Sequence, residues 1–457
     1  SAQSTGWYDD AWTRRQEIAI GGAVTDTDLT RFPVLIKIDN TPSTNPLFGT
    51  AQSDGDDILF TSDDGVTKIP HEIEFYTDSG TPELYAWVQV PTLAAAGTTI
   101  YMYYGNAAAS SQEDAVDVWD DDYMAVLHLN ETVTDEGTTG IHFDSTVNGS
   151  NGVQSGNDDI AGKIAGAQDF DGTGGAGAQD YINIDNVDSD DWSEFTLSAW
   201  FNADAYGQTH PRIIAKSSST DPNDFIFSLT QENTDGTNAN LRTRLATDGE
   251  TGSSSHTGGA AVDLDTGEWT YGTVVWTGNV DDRIFLRRAV AGTGTTLGVD
   301  EITNPGGGDG ATLLDALATQ NVVIGNSLVD GDRGHDGIID EVRISRVARS
   351  EDWLEAEFRI SDTPETYITT EEQVSVSGTV FTDRGLTPAG GGVPVALSIG
   401  QGTTPGTDLF TTTTSSDGTY FFSVPATSIT AGDRLVVFRD NNDAFDAGDG
   451  AVVTVSD

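Results

Sequence analysis

The sequence contains no cysteine. That excludes disulfides and thiolate metal sites, fits a secreted prokaryotic protein, and argues against a disulfide-stapled animal ectodomain. Positive charge is the second shortage: 21 Lys and Arg stand against 73 Asp and Glu, a net charge of −52. Binding a phosphate backbone needs a basic face, so nucleic acid is not expected as a partner. Lysine is confined to Lys37, Lys68, Lys163 and Lys216, which leaves the C-terminal half without any. No stretch approaches the roughly 18–20 uninterrupted apolar residues of a membrane-spanning helix, so no membrane insertion is expected. The first residues, SAQSTGWYDD, have neither a basic start nor an apolar core. They look like the small, polar start that signal cleavage leaves, and a secreted or cell-surface location is the expectation.

Short runs that alternate apolar with polar residues are plentiful, and Gly, Asp, Asn and Ser clusters punctuate them. This is the pattern of an all-β chain built from sandwiches. Examples are "FPVLIKI" (32–38), "LYAWVQV" (84–90), "FTLSAWF" (195–201), "YGTVVWT" (271–277) and "RLVVFR" (434–439). One helix is predicted over "RSEDWLEAEFR" (349–359): Ser350 is placed to cap it, acids fill its first turn, and Trp353, Leu354 and Phe358 share a face. At about 150 residues per domain, 457 residues suggest about three domains. The strand pattern pauses in small and acidic residues near 118, and again in the polar, proline-containing "SDTPETYITTEEQ" (361–373). The expected organisation is three consecutive β-sandwiches over 1–118, 119–373 and 374–457.

Acidic blocks such as Asp54, Asp56 and Asp57, or Asp120–Asp122, sit beside turn residues. Three readings compete for them: a solvated surface adapted to salt, divalent-cation sites, or a mutually repelling outer coat. Within "PHEIEF", a zinc-protease reading would need two histidines one helical turn apart, and only His71 is present in a β pattern. Alternation puts Glu72 and Glu74 on one face and Ile73 and Phe75 on the other, which predicts a half-exposed strand. In "GIIDEVRIS" the same rule sets Ile338, Asp340, Val342 and Ile344 against Ile339, Glu341 and Arg343. Asp340 is then a lone acid on an apolar face and requires a cation, an arginine or backbone amides. Glu341 would pair with Arg343 at the solvent side. The histidines, among them His128, His142, His210, His256 and His335, are scattered and read as structural or exposed.

The stretch "WYDDAWTRRQEIAI", with "FPVLIKID", "EIEFY", "LYAWVQVP" and "TIYMYYGNAAA", resembles the domain of unknown function 2341 over residues 7–118. The resemblance implies a β-sandwich and no established activity. Residues 119–373 carry "YMAVLHLNE", "FDSTVNGSNG", "GAQDFDG", "DYINID" and "GIIDEVRISRVARS", in the order seen in laminin-G-like, concanavalin-A-like jelly rolls. Such domains are two curved antiparallel sheets whose concave face or edge loops bind glycans or proteins, frequently with calcium nearby. "SSDGTYFFSV" and its neighbours after residue 373 resemble a small prealbumin-like, carboxypeptidase-regulatory-like sandwich. Related adhesin stalks carry a Lys–Asn isopeptide bond, which this lysine-free segment does not permit.

By position, the jelly-roll resemblance nominates Asp144, Asn148, Asp336 and Asp340 as ligands of a structural calcium ion. The Asp- and Asn-rich "RDNNDAFDAGDG" (439–450) is a second calcium candidate, or an ordinary polar hairpin. Trp192, Tyr206, His210 and Trp276 are candidates for stacking on sugar rings, whereas Trp200 and Trp269 read as core. Two sequons begin at Asn130 and Asn148.

Glycosidase chemistry needs two carboxylates roughly 5–10 Å apart across the scissile bond. Adjacent strand residues such as Asp340 and Glu341 point to opposite faces and do not form such a pair. The expectation is a non-catalytic extracellular surface protein for adhesion or self-assembly, as a filament, pilus-like or sheath subunit. Its jelly roll would bind glycan or another copy of the chain. The alternative is the carbohydrate-binding part of a secreted polysaccharide-active enzyme.

Overall fold

The computed structural model describes residues 6–9, 11–39, 45–133, 140–172, 180–184, 187–190, 192–207, 210–217, 225–233, 238–247, 254–278, 283–292, 297–303, 313–314, 321–327, 333–382, 387–401, 408–429, 433–439 and 450–454. The first sandwich stacks a three-stranded sheet on a larger one. In the smaller sheet, Glu83–Leu93 lies between Leu29–Asp39 and His71–Thr77. Alternate residues Phe32, Val34, Ile36 and Ile38 face Val90, Val88, Ala86 and Leu84 across the ladder, and all are buried. The opposite face of this sheet is buried as well: Leu35 lies across from Trp87, and neither is more than 1% exposed. A sheet covered on both sides needs a second partner beyond its own sandwich.

That partner is the jelly roll. Among the described residues its two sheets have eight and nine strands, and Leu127, Phe170, Leu197, Phe201, Leu229, Leu241, Val274, Trp276, Leu286, Ile339 and Val342 fill the space between them. The strand Asp336–Ser345 lies centrally, with Glu194–Ala205 on one side and Gly166–Asp171, then Tyr123–Leu127, on the other. Its register with Glu194–Ala205 slips: Ser198 pairs with Arg343 but Trp200 with Asp340. Ala199 therefore spans two residues, Glu341 and Val342, and Glu341 takes φ of +51°. An extra residue of this kind is a β-bulge, and it reverses which face each later side chain meets. Strict alternation thus fails here. Ile339, Val342 and Ile344 join the sandwich core, while Asp340, Glu341 and Arg343 are also buried but stand outside it.

The predicted helix forms over Glu351–Asp362, with Ser350 Oγ accepting from the Trp353 amide at 3.2 Å. It is sandwiched between the two bodies. Trp353 packs edge-on against Phe32 of the first sandwich at 4.8 Å, Phe358 lies 5.7 Å from Trp200 of the jelly roll, and Arg359 donates to the Val24 carbonyl at 2.9 Å.

Residues 361–373, expected as a polar junction, are regular structure. After the turn Pro364–Tyr367, the strand Ile368–Thr379 pairs first with Arg14–Ile20 of the first sandwich and then with Thr419–Pro425 of the third unit. The boundary drawn at 373 falls inside this continuous strand, whose polar residues (Thr369, Thr370, Glu371) disguise it. The third unit lays Pro394–Gln401, Asp408–Thr413, Asp433–Arg439 and Gly450–Thr454 over that extension, with Leu397, Tyr420, Phe422, Val424, Leu435 and Val437 between. The second calcium candidate falls almost wholly on residues 440–449, outside the described residues.

Because helix Glu351–Asp362 and Ile368 contribute to the first core, a fragment ending at residue 118 loses part of that core and leaves the Arg14–Ile20 edge unpaired. Urea denaturation is expected to give no cooperative transition for fragment 1–118 and a single steep one for fragment 1–379.

Candidate interdomain ionic site

The outer face of the three-stranded sheet presents Glu72, Glu74 and Trp87 to the jelly roll. A second bulge lies here: Ile73 pairs with Ala86 and Phe75 with Tyr85, so Glu74 is the extra residue. The expected half-exposed strand is corrected accordingly. Glu74 is 9% exposed and Phe75 40%, because a neighbouring body, rather than water, covers the glutamate face.

His128 follows the strand Tyr123–Leu127 and meets three carboxylates. Its Nδ1 is 2.6 Å from Glu341 Oε1 and 3.6 Å from Glu74 Oε2, and its Nε2 is 3.4 Å from Glu72 Oε2. Trp87 stacks on the imidazole at 5.9 Å and donates through Nε1 to Glu74 Oε2 at 2.8 Å. Trp119 Nε1 and Ser145 Oγ donate to the two oxygens of Glu72 at 3.0 and 2.5 Å. Arg343 binds Glu341 Oε2 at 2.6 Å and Glu357 Oε1 at 3.0 Å, with its guanidinium over Trp87 and Trp119. Glu357, on the helix, also accepts from Tyr271 and Ser198 at 2.7 and 2.9 Å. Glu341 is therefore paired with Arg343 as expected, but at 2% exposure the pair is buried, not at the solvent side.

The field inside this cluster follows from burial and mutual proximity. Burial opposes a charged imidazole, yet Glu341, Glu72 and Glu74 raise the His128 pKa well above its ordinary value. Glu74 is pushed up to about 8 by burial and by the charge of Glu341. Burial also works against ionised Glu341, but His128 and Arg343 hold it below the usual carboxylate range. Asp340 is raised well above that range by burial, then by Glu341 and Glu74.

The nominated calcium residues are placed separately. Asp340 Oδ2 accepts from the Lys163 and Ile164 amides at 2.8 and 3.0 Å, the backbone-amide alternative among the three partners considered for it. Asp144 spends both oxygens inside its own loop: Oδ1 accepts from the Val126 and Thr146 amides, Oδ2 from the Ser150 amide and the Thr146 hydroxyl. Asn148 donates to the Tyr123 carbonyl at 3.0 Å and the Met124 carbonyl at 3.3 Å. Asp336 lies opposite Asp171 at the far end of its strand. Asp144 and Asn148 so engaged do not fit a shared calcium shell with Asp336 and Asp340. Among the described residues, three ligand-type side chains converge within 4.8 Å at Glu74, His128 and Glu341 instead.

Other candidates resolve simply. Trp192, Tyr206 and Trp276 are buried and not available to stack on a sugar, while His210 is 2.9 Å from Glu232. Asp57 is buried and accepts from the amides of Gln52, Gly105 and Asn106, and Asp120 holds Arg349 through two bonds of 2.6 and 2.7 Å. Both sequon amides are engaged, Asn130 with the Glu74 carbonyl at 2.7 Å. Sequence spacing did not reveal the His128 cluster, since Glu341 is 213 positions from His128 and further still from Glu74. The available signal was that each ionisable group interrupts an otherwise apolar run.

Removing one partner of a buried ion pair leaves the other uncompensated, at a cost of about 3–5 kcal/mol. Arg343→Met is expected to lower unfolding free energy by that amount in urea titrations. Arg346→Met, which loses only the exposed pair with Asp122, should cost less than about 1 kcal/mol.

A search of curated proteins gives no significant match. Among solved structures, the chain is similar to domain 4 of the extracellular GH43 arabinanase AbnA from Geobacillus stearothermophilus, in complex with arabinotriose. Identity is 20%, coverage 51% of this chain and 97% of that one, and the TM-score 0.34. It is also similar to the Ruminococcus gnavus IT-sialidase CBM40 bound to α2,3 sialyllactose, at 16% identity, 38% and 95% coverage and a TM-score of 0.29. The botulinum neurotoxin serotype G binding domain aligns at 10% identity over 70% and 73% of the two chains, with a TM-score of 0.36. Likeness at these scores is too low to carry a ligand or an activity across. The sequence families are informative where the folds are not: residues 54–153 match the domain of unknown function DUF2341, and residues 175–355, further along the chain, match the concanavalin A-like lectin/glucanases superfamily (Laminin_G_3).

Proposed function

We propose that this chain is a non-catalytic, extracellular carbohydrate-binding protein of the cell surface whose first sandwich and helix hold the lectin-like jelly roll in a fixed orientation. The observation that carries the reading is the match of residues 175–355 to a lectin and glucanase superfamily. The non-catalytic part is supported by where the acids go. Asp340 and Glu341, on a central strand of that domain, are 0% and 2% exposed and bound by backbone amides, His128 and Arg343. Carboxylates sealed in this way do not flank a glycosidic bond.

A specific feature favours self-association as well. Ile141 pairs with Val153 at the edge of the nine-stranded sheet, and both are exposed, as are Phe143 and Val147 between them, at 59% and 72%. Apolar side chains grouped on and beside an edge strand are suited to contact another chain. Adhesion and assembly into a homopolymer are consistent with this edge.

A glycan array combined with a reducing-sugar assay on the bound polymers tests the first reading. Retention on one or more glycans with no release of sugar is expected, and hydrolysis of a bound polymer would refute the non-catalytic role. For assembly, sedimentation velocity at moderate salt should show concentration-dependent oligomers that Phe143→Asp with Val147→Asp removes.

A further inference from the structure

We propose that Glu74, His128 and Glu341 form a binding site for a first-row divalent transition-metal ion, zinc being the representative, which joins the first sandwich to the jelly roll. The donor set is one imidazole nitrogen and two carboxylate oxygens, all within 4.8 Å of one another. Imidazole with carboxylate suits zinc and its neighbours, whereas calcium and magnesium prefer oxygen alone. Ligands of a tetrahedral zinc ion at about 2.0–2.1 Å stand roughly 3.3 Å apart. The separations from His128 Nδ1, 2.6 Å to Glu341 and 3.6 Å to Glu74, bracket that spacing.

Two further observations point to a cation. The cluster gathers four carboxyl groups (Glu72, Glu74, Glu341, Glu357) around one imidazole, His128, and one guanidinium, Arg343. Glu74 Oε1 and Asp340 Oδ1 are buried oxygens with no hydrogen-bond partner, a condition that is costly to maintain without a counter-charge. Glu74 belongs to the donor set itself, with its side chain fully enclosed.

The surroundings are those a metal-bound histidine uses. Such a ring directs one nitrogen to the ion and the other, as N–H, to a carboxylate that fixes its orientation. His128 presents Nδ1 to Glu341 and Glu74 and Nε2 to Glu72, which is itself held by Trp119 and Ser145. Trp87 and Arg343 orient the two carboxylate ligands through Glu74 Oε2 and Glu341 Oε2. Glu74 comes from the first sandwich and His128 and Glu341 from the jelly roll, so an ion bound here ties the two bodies together whether or not a glycan is bound.

The site is enclosed, so loading is tested during folding. The full chain is unfolded in denaturant with chelator, refolded with or without zinc, dialysed against metal-free buffer, and assayed by inductively coupled plasma mass spectrometry and thermal melting. About one zinc per chain and a higher Tm in the zinc-refolded sample are expected. Glu74→Gln should lose the ion while Asp54→Asn, an exposed acid, retains it. Should Glu74→Gln fail to refold, Glu72→Gln serves instead, with affinity lowered about 10–100-fold. Cobalt refolded in place of zinc should give visible d–d absorption that excess zinc removes when present during refolding. Cooperatively folded wild type that holds no zinc or cobalt, or holds it equally in Glu74→Gln, overturns the proposal in favour of protons balancing the cluster.

Discussion

Charges taken out of water must be matched where they end up, and the contact between the first sandwich and the jelly roll is organised around that requirement. Glu341 occupies the centre. It links His128 on one side to Arg343 on the other, and Arg343 in turn reaches Glu357 on the helix. All of these groups are buried, so sliding one body over the other without admitting water would strand several at once. The aromatic rings of Trp87 and Trp119 over the guanidinium close the cluster laterally. Two lobes joined in this way form one mechanical unit, unlike domains separated by a linker.

The chain path reinforces the same contact. The polypeptide leaves the first sandwich, builds the jelly roll, and then returns through a helix that packs on both before giving a strand back to the first sheet. That strand continues into the third unit. The first sandwich and the third unit are thus joined by one strand that pairs in both, without any crosslink. For a protein with neither cysteine nor, in its C-terminal half, lysine, continuity of a strand replaces covalent reinforcement.

Asp340 and Glu341, on the central strand of the jelly roll, are enclosed, bound by backbone amides, His128 and Arg343. Glu341 serves the contact with the first sandwich through His128 and Arg343. At the edge of the nine-stranded sheet Ile141 and Val153 pair with both side chains exposed, and Phe143 and Val147 between them are exposed as well.

Sheet class and the capped helix at Ser350 were legible from the sequence, because alternation, turn residues and caps are local properties, while the DUF2341 and laminin-G-like order came from the resemblance of whole segments to those families. The strand Ile368–Thr379 was not legible, since its polar residues match a linker in composition and only its partners make it a strand. The faces of Asp340 and Val342 were read wrongly for a related reason. A bulge is a relation between two strands, and the one at Ala199 and Glu341 leaves no mark in either sequence alone. Glu74, His128 and Glu341 are distant in the chain, and no local pattern joins them. Sequence determined that these acids and this histidine interrupt apolar runs; only the packing of one sheet face against another decided that they interrupt them at the same place.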